Sequence, residues 1–269
     1  MNRIAYVSPK GDLFTVDPDG SGLLQLTGDI HAQSDIPELS YTGGVQVQPL
    51  QINEFYTWVT WCADGTKLAA SKVVLNPDRP EVSVQILDAQ TGNNEIVYRN
   101  GLAGLIAEGA PHYIYWAPIG DQLSFLAATP DGLSLFVWDG IPGHSANLVD
   151  RGAPLYYQWS PDAQSMAIHL GPEIIWMKSP IEGGSRESFR SPGNFRALSI
   201  SPDGQTLAYV DESDNALGLY VSAINDLQHG KKIIDVGATV AFMWSPDGTQ
   251  LAVADQSNPR SQLFDRLIL

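Results

Sequence analysis

The chain opens on an apolar alternation, Ile4-Ala5-Tyr6-Val7, and short alternations of this kind recur to its end. Such runs are the mark of half-buried β-strands. They are organised by a repeat: an apolar approach that usually ends in Trp, a Ser-Pro-Asp-Gly-like tetrad, two polar residues, and a second apolar run that begins Leu-Ala or similar. Five copies are visible. They are Trp61-Cys62-Ala63-Asp64-Gly65, Trp116-Ala117-Pro118-Ile119-Gly120, Trp159-Ser160-Pro161-Asp162-Ala163, Ile200-Ser201-Pro202-Asp203-Gly204 and Trp244-Ser245-Pro246-Asp247-Gly248. Successive copies are 55, 43, 41 and 44 residues apart, which matches the roughly 40 to 50 residues of a four-stranded propeller blade.

The tetrad is a turn with a mechanism. Pro presets φ at the second position of a type I turn, Asp tolerates the third, and Gly takes the left-handed conformation that sends the chain back as a hairpin. Where Ala163 stands in place of Gly, the left-handed residue costs on the order of 1 kcal/mol, and a distorted turn is expected. About ten residues after each Leu-Ala strand a third strand is predicted: Leu135-Phe136-Val137, Ile175-Trp176-Met177, Leu219-Tyr220-Val221 and, near the end, Leu263-Phe264. Fourth strands are shorter and more polar, at 95–98, 186–189 and 231–234, as suits outer edges that charge protects from stray pairing. The N-terminal stretches 4–8, 13–17 and 24–27 read as second, third and fourth strands of a blade whose first strand is missing.

The prediction is therefore all-β: a single domain over 1–269, a six-bladed β-propeller of four-stranded antiparallel blades whose terminal blades are incomplete. Three explanations for the incompleteness stay open: a ring that closes imperfectly, a strand supplied by 29–53, or a chain that is a fragment.

Composition agrees and narrows the partners. The 25 Gly and 18 Pro among 269 residues make turns frequent and long helices unfavourable. A net charge of −15 speaks against nucleic acid and anionic membranes, which are held by Lys and Arg. The single cysteine, Cys62, permits neither an intrachain disulfide nor a thiolate metal cluster. Apolar runs fall far short of the roughly 20 residues that span a bilayer, and residues 1–7 do not have the shape of a signal peptide.

Trp-Ser-Pro-Asp-Gly followed by Leu-Ala, repeated through everything except about 28–55, resembles the WD40-like repeat of TolB-type β-propellers. Similar repeats occur in the propeller domains of prolyl-oligopeptidase relatives and of the tricorn protease. The resemblance implies a scaffold, often extracytoplasmic, that binds partners on one face. It says little about chemistry, because the repeated residues build turns.

Candidate chemistry is sparse. The nearest match to a Gly-x-Ser-x-Gly nucleophile elbow, Gly143-His144-Ser145-Ala146-Asn147, lacks the last Gly and a following helix. The five histidines show no short metal-ligand spacing, although propeller-type pectate-fragment lyases resemble this fold and use a His-bound metal. Asp17-Pro18-Asp19-Gly20-Ser21-Gly22 imitates the start of a calcium loop, but Gly28 stands where the bidentate Glu belongs, and a plain turn is expected. No cofactor or metal site is assigned.

Function is expected opposite the short repeated turns, where long loops at 29–53, 76–80 and 99–111 collect. Tyr56 and Trp58, Tyr113 and Tyr115, Tyr156, and Phe195 with Arg196 stand at the starts of first strands there. Tyr56, Tyr113, Tyr156, Phe195, Arg196 and His112 form the candidate partner-binding set, aromatic and Arg side chains being common anchors. The expected function is a monomeric, non-enzymatic module for a protein, peptide or glycan. The alternatives are a metal-dependent lyase-like propeller enzyme and an accessory propeller of a larger peptidase or signalling protein.

Overall fold

The computed structural model describes residues 2–28, 54–75, 81–101, 111–129, 131–181, 183–190, 198–213, 216–237, 240–256 and 264–269. Among them the chain forms strands and no helix, so no helix is long and apolar enough to cross a membrane. β1 (Ile4–Val7), β2 (Leu13–Val16) and β3 (Leu24–Gln25) make a three-stranded sheet. Four-stranded sheets follow, each in chain order. The first holds β4 (Glu54–Trp61), β5 (Lys67–Val74), β6 (Glu81–Asp88) and β7 (Asn94–Gly101). The second holds β8 (His112–Trp116), β9 (Leu123–Thr129), β10 (Gly132–Trp138) and β11 (Asn147–Arg151). The third holds β12 (Leu155–Trp159), β13 (Ser165–Leu170), β14 (Glu173–Lys178) and β15 (Arg186–Arg190). The fourth holds β16 (Leu198–Ile200), β17 (Thr206–Ser213), β18 (Ala216–Ala223) and β19 (Lys231–Asp235). A three-stranded sheet of β20 (Val240–Trp244), β21 (Leu251–Asp255) and β22 (Arg266–Ile268) completes the described chain.

Neighbouring strands pair antiparallel, as hairpins joined by short turns must. The last third strand is β22, which begins at Arg266 and pairs with β21. It replaces the strand expected at Leu263-Phe264. Phe264 lies before it, and Leu263 falls outside the described residues. A bulge interrupts the third-to-fourth pairing in every four-stranded sheet, at 84/85, 135/136, 174/175 and 219/220. Each bulge adds twist and bends the outer strand.

The tetrads form the predicted hairpins. Gly65, Ala163, Gly204 and Gly248 each donate a backbone N–H to the residue three before, Cys62, Ser160, Ser201 and Ser245. The turn at Ala163 is not distorted, contrary to expectation: Ala163 adopts φ +58° and keeps the same hydrogen bond at 2.9 Å. The strain sits in one dihedral angle. The neighbouring serine also holds the turn, since Ser160 Oγ donates to Asp162 Oδ1 at 2.6 Å and accepts from Ser165 N–H at 2.9 Å.

Contacts concentrate in two compact units. In the unit that contains 1–116, Leu13, Leu26, Tyr56, Leu68, Ala70 and Leu87 join the N-terminal sheet to the β4–β7 sheet through one apolar core. In the unit that contains 147–269, Trp176, Phe189, Leu198, Ile200, Leu207, Tyr209 and Tyr220 pack the third sheet against the fourth. Ala208, Val210, Leu219, Val236 and Val253 pack the fourth against the last. Second strands such as β5 and β13 are buried along most of their length, β5 against the N-terminal sheet and β13 against the fourth.

Candidate functional site

Two first strands depart from regular geometry in the same way. In β4, Thr57 pairs with Ser71 and Thr60 with Ala69, so three steps along one strand match two on the other. In β8, His112 pairs with Leu126 and Tyr115 with Ser124, again with one residue extra. The first residue inside each bulge is aromatic and left-handed, Trp58 at φ +53° and Tyr113 at φ +48°. Both stand three residues before the Trp that ends their strand. Left-handed backbone costs a non-glycine residue about 1–2 kcal/mol, and among the described residues only Ala163 and Ser179 share it.

The two bulges bring these rings together. Trp58 and Tyr113 lie 5.4 Å apart between centroids, tilted by 48°. His112 is 6.2 Å from Trp58 and 5.2 Å from Tyr113, and Tyr115 follows at 6.4 Å from Tyr113. Trp58, Tyr113 and Tyr115 remain 46%, 37% and 40% exposed, and His112 is half-buried. Partial burial, with the Tyr113 phenol beside it, pushes the Tyr115 phenol above its ordinary pKa. The result is a contiguous patch of four rings, all within one compact unit.

The remaining candidates are not part of it. Tyr56 is only 7% exposed and belongs to the core. Its hydroxyl donates to Gln85 Oε1 at 2.9 Å, and Lys72 Nζ sits 5.5 Å from its ring centroid. Burial, reinforced by the Glu54 and Asp12 carboxylates, pushes its phenol up to about 12. A side chain so enclosed offers a partner no surface. Tyr156 is half-buried, packs against the core of the other unit, and lies in a regular stretch opposite His169. Phe195 and Arg196 fall outside the described residues, as do 29–53, 76–80 and 102–110 of the long loops.

The calcium-like loop is a turn. Asp17 Oδ1 accepts from Arg3 at 2.9 Å, Asp19 Oδ1 accepts from Ser21 N–H and Oγ, and Gly20 N–H returns to the Asp17 carbonyl. Among the described residues no three His, Cys, Asp or Glu side chains converge as metal ligands do. The lone thiol is structural: Cys62 Sγ donates to Asp64 Oδ1 at 2.9 Å and accepts from Lys67 N–H at 3.1 Å. Those are the bonds that Ser160 Oγ makes in its own turn.

No protein-family model matches the sequence, and no curated protein matches it. Solved structures do. TolB from Acinetobacter baumannii is 20% identical over 95% of this chain, with a TM-score of 0.49, and the chain spans 58% of its length. Oligogalacturonate lyase from Vibrio parahaemolyticus is 15% identical over 94% of the chain and 71% of its own, with a TM-score of 0.56. The β-propeller domain of the Trilobed protease from Pyrococcus furiosus is 12% identical over 78% of the chain and 66% of its own, also at 0.56. The last two likenesses are of fold, and with the antiparallel sheets they show that the chain adopts a β-propeller fold.

Proposed function

We propose that this protein is a monomeric binding propeller, without chemistry of its own, which takes a protein, peptide or glycan on the patch of Trp58, His112, Tyr113 and Tyr115. One observation carries the reading. Two adjacent aromatic residues are held in a backbone conformation that costs stability and exposes their rings, and such strain persists where a site requires it. Exposed Tyr and Trp on a rigid sheet are common anchors of binding surfaces. The net charge of −15 favours a neutral or basic partner.

The test is capture of a partner by cross-linking, followed by affinity measurements on Trp58→Ala, Tyr113→Ala, Tyr156→Ala and Arg196→Ala. Trp58→Ala and Tyr113→Ala are expected to cost about 1–4 kcal/mol each. Unchanged affinity for both would remove the site. An oligogalacturonate lyase of this fold has been seen in complex with manganese, so cleavage of oligogalacturonate by this protein with manganese would replace the binding reading by an enzymatic one. The accessory-propeller reading has its own support, since the chain matches 40% of the length of the Porphyromonas gingivalis dipeptidyl peptidase 4, with a TM-score of 0.62. It would prevail if the captured partner bound only to a longer form of the chain.

A further inference from the structure

A second candidate site lies within the other compact unit. Beside the Ser-Pro-Asp turns of the third and fourth sheets lies a cleft of about 570 Å³, lined by Asp162, Asp203, Trp176, Lys178, Ile119 and Ile224 among others. Ligand sites commonly fall in the range of about 300–1,000 Å³.

Its polar groups are half used. Asp162 Oδ1 accepts from Ser160 Oγ at 2.6 Å and Gln164 N–H at 3.0 Å, and Asp203 Oδ1 accepts from Ser201 Oγ at 2.5 Å and Gln205 N–H at 3.0 Å. The turns thus engage one oxygen of each carboxylate. Neither Oδ2 takes a hydrogen bond from the described residues, and the Lys178 ammonium and Trp176 Nε1–H find no acceptor among them. The residues that line the cleft therefore carry two acceptors and two donors that the turns leave unused, beside the aliphatic side chains of Ile119 and Ile224.

The chemistry of that lining selects a ligand class. A simple anion would meet two carboxylates, and a simple cation would meet Lys178. An apolar molecule would desolvate all four polar groups without replacing their water. A small free amino acid such as glycine has the donors and acceptors for these groups but no C–H face for the isoleucines, and lysine brings a second ammonium beside Lys178. A sugar meets every group, because each hydroxyl both donates and accepts and the C–H faces of the ring suit the isoleucines. We propose that this cleft binds a neutral saccharide of one or two residues.

The experiment is isothermal titration, with ligand-observed NMR, of maltose, cellobiose and lactose against the intact protein, with glycine and lysine as comparison ligands. Asp162→Asn and Asp203→Asn are informative variants, because Asn retains the Oδ1 acceptor of the turn and replaces the free oxygen by an amide. At least one disaccharide is expected to bind saturably below about 10 mM, and each variant is expected to weaken it about tenfold. Lys178→Met, an exposed position outside the turns, is expected to weaken it as well, and Lys10→Met, exposed and not in the cleft, to leave it unchanged. No saturable binding of any disaccharide, equal affinity in all three cleft variants, or binding of glycine or lysine in place of sugar would overturn the proposal. The aromatic-patch reading stands or falls separately, on partner affinity in Tyr113→Ala.

Discussion

Trp116 Nε1 donates a hydrogen bond to the backbone carbonyl oxygen of Thr60, 3.3 Å away and 56 residues earlier in the chain. Trp244 Nε1 does the same to Ser199 at 3.1 Å. Thr60 and Ser199 each stand one residue before the end of the preceding sheet's first strand, so the repeated Trp ties one sheet to the next. Where Ile200 replaces Trp and has no N–H to offer, the link is made differently. The Gln158 side chain, again one residue before a strand end, accepts from the Ile200 backbone N–H at 2.9 Å.

These ties should be measurable. Trp244→Phe keeps an aromatic ring but loses the donor and part of the packing of the indole, at an expected cost of at least about 1 kcal/mol. Gln158→Ala strands the N–H of buried Ile200 and should cost about 1–3 kcal/mol. Urea midpoints test both, and two unchanged midpoints would show that the side-chain bonds are incidental to sheet packing.

Cys62 occupies the serine position of its turn and makes the serine bonds through sulfur. Cys62→Ser should therefore fold with a stability within about 1 kcal/mol of wild type, whereas Cys62→Ala, which leaves Lys67 N–H without its sulfur acceptor, should lose about 1–2 kcal/mol. Thermal unfolding of the two variants checks this. A larger loss for Ser than for Ala would mean that packing of the sulfur, rather than its hydrogen bonds, is what matters.

The hairpins were legible because their causes are local. Pro, Asp and Gly at fixed offsets dictate a turn whatever surrounds them, and even Cys62 could be placed by its offset from Trp61. The candidate site was less legible, and the bulges explain why. In β4, Val59 and Trp61 face the core in regular alternation, which counted backwards would place 57 there and leave Tyr56 outside. The extra residue shifts the phase, so that Tyr56 is buried with Val59 and Trp61 against the same core. Nothing local announces such a bulge, since left-handed positions normally carry Gly or Asn and these carry Trp and Tyr. Tertiary packing imposes the conformation, and only the folded chain displays it.

Acid should loosen the turns together. Hydrogen bonds from Cys62 and then Thr66 hold the Asp64 carboxyl down to about 2, and those from Ser245 and then Thr249 do the same for Asp247. Asp162 and Asp203 are also lowered, first by Ser160 and Ser201. A carboxyl whose folded pKa lies below its unfolded value stabilises the fold above the unfolded value, and the contribution fades as pH falls through the folded one. Urea midpoints measured from pH about 5 down to about 2 should therefore decline, with a shallower decline in Asp247→Asn. Equal slopes in variant and wild type would deny the carboxylate a role.

The turn glycines should resist side chains through dihedral strain rather than crowding. A Cβ on Gly204 would meet Pro161 Cδ at 3.4 Å, and one on Gly248 would meet Pro202 Cδ at 3.5 Å, ordinary contacts in both cases. Their φ of +70° is the obstacle. Gly204→Val and Gly248→Val should each lose roughly 1–3 kcal/mol. Ala163→Gly relaxes φ +58° but enlarges the unfolded ensemble and removes a buried methyl, so its net change should stay within about 1 kcal/mol. Denaturant midpoints unchanged in both Val variants would refute the turn geometry.

The bulge at Tyr113 permits a test in which the sign of an ordinary preference reverses. In a regular strand Val is favoured over Gly by up to about 1 kcal/mol, because it packs on the pleated surface and loses less backbone freedom. At φ +48° the β-branched side chain crowds its own backbone, and Gly is the residue that fits. Tyr113→Gly should therefore be more stable than Tyr113→Val by about 1–3 kcal/mol. Tyr156 provides the control, because it occupies the same position relative to its strand-ending Trp, in β12, where pairing is regular. There Tyr156→Val should be the more stable of the pair. Urea denaturation of the four variants decides the matter: the same order at both positions would show that Tyr113 bears no strain, and would remove the observation on which the aromatic site rests.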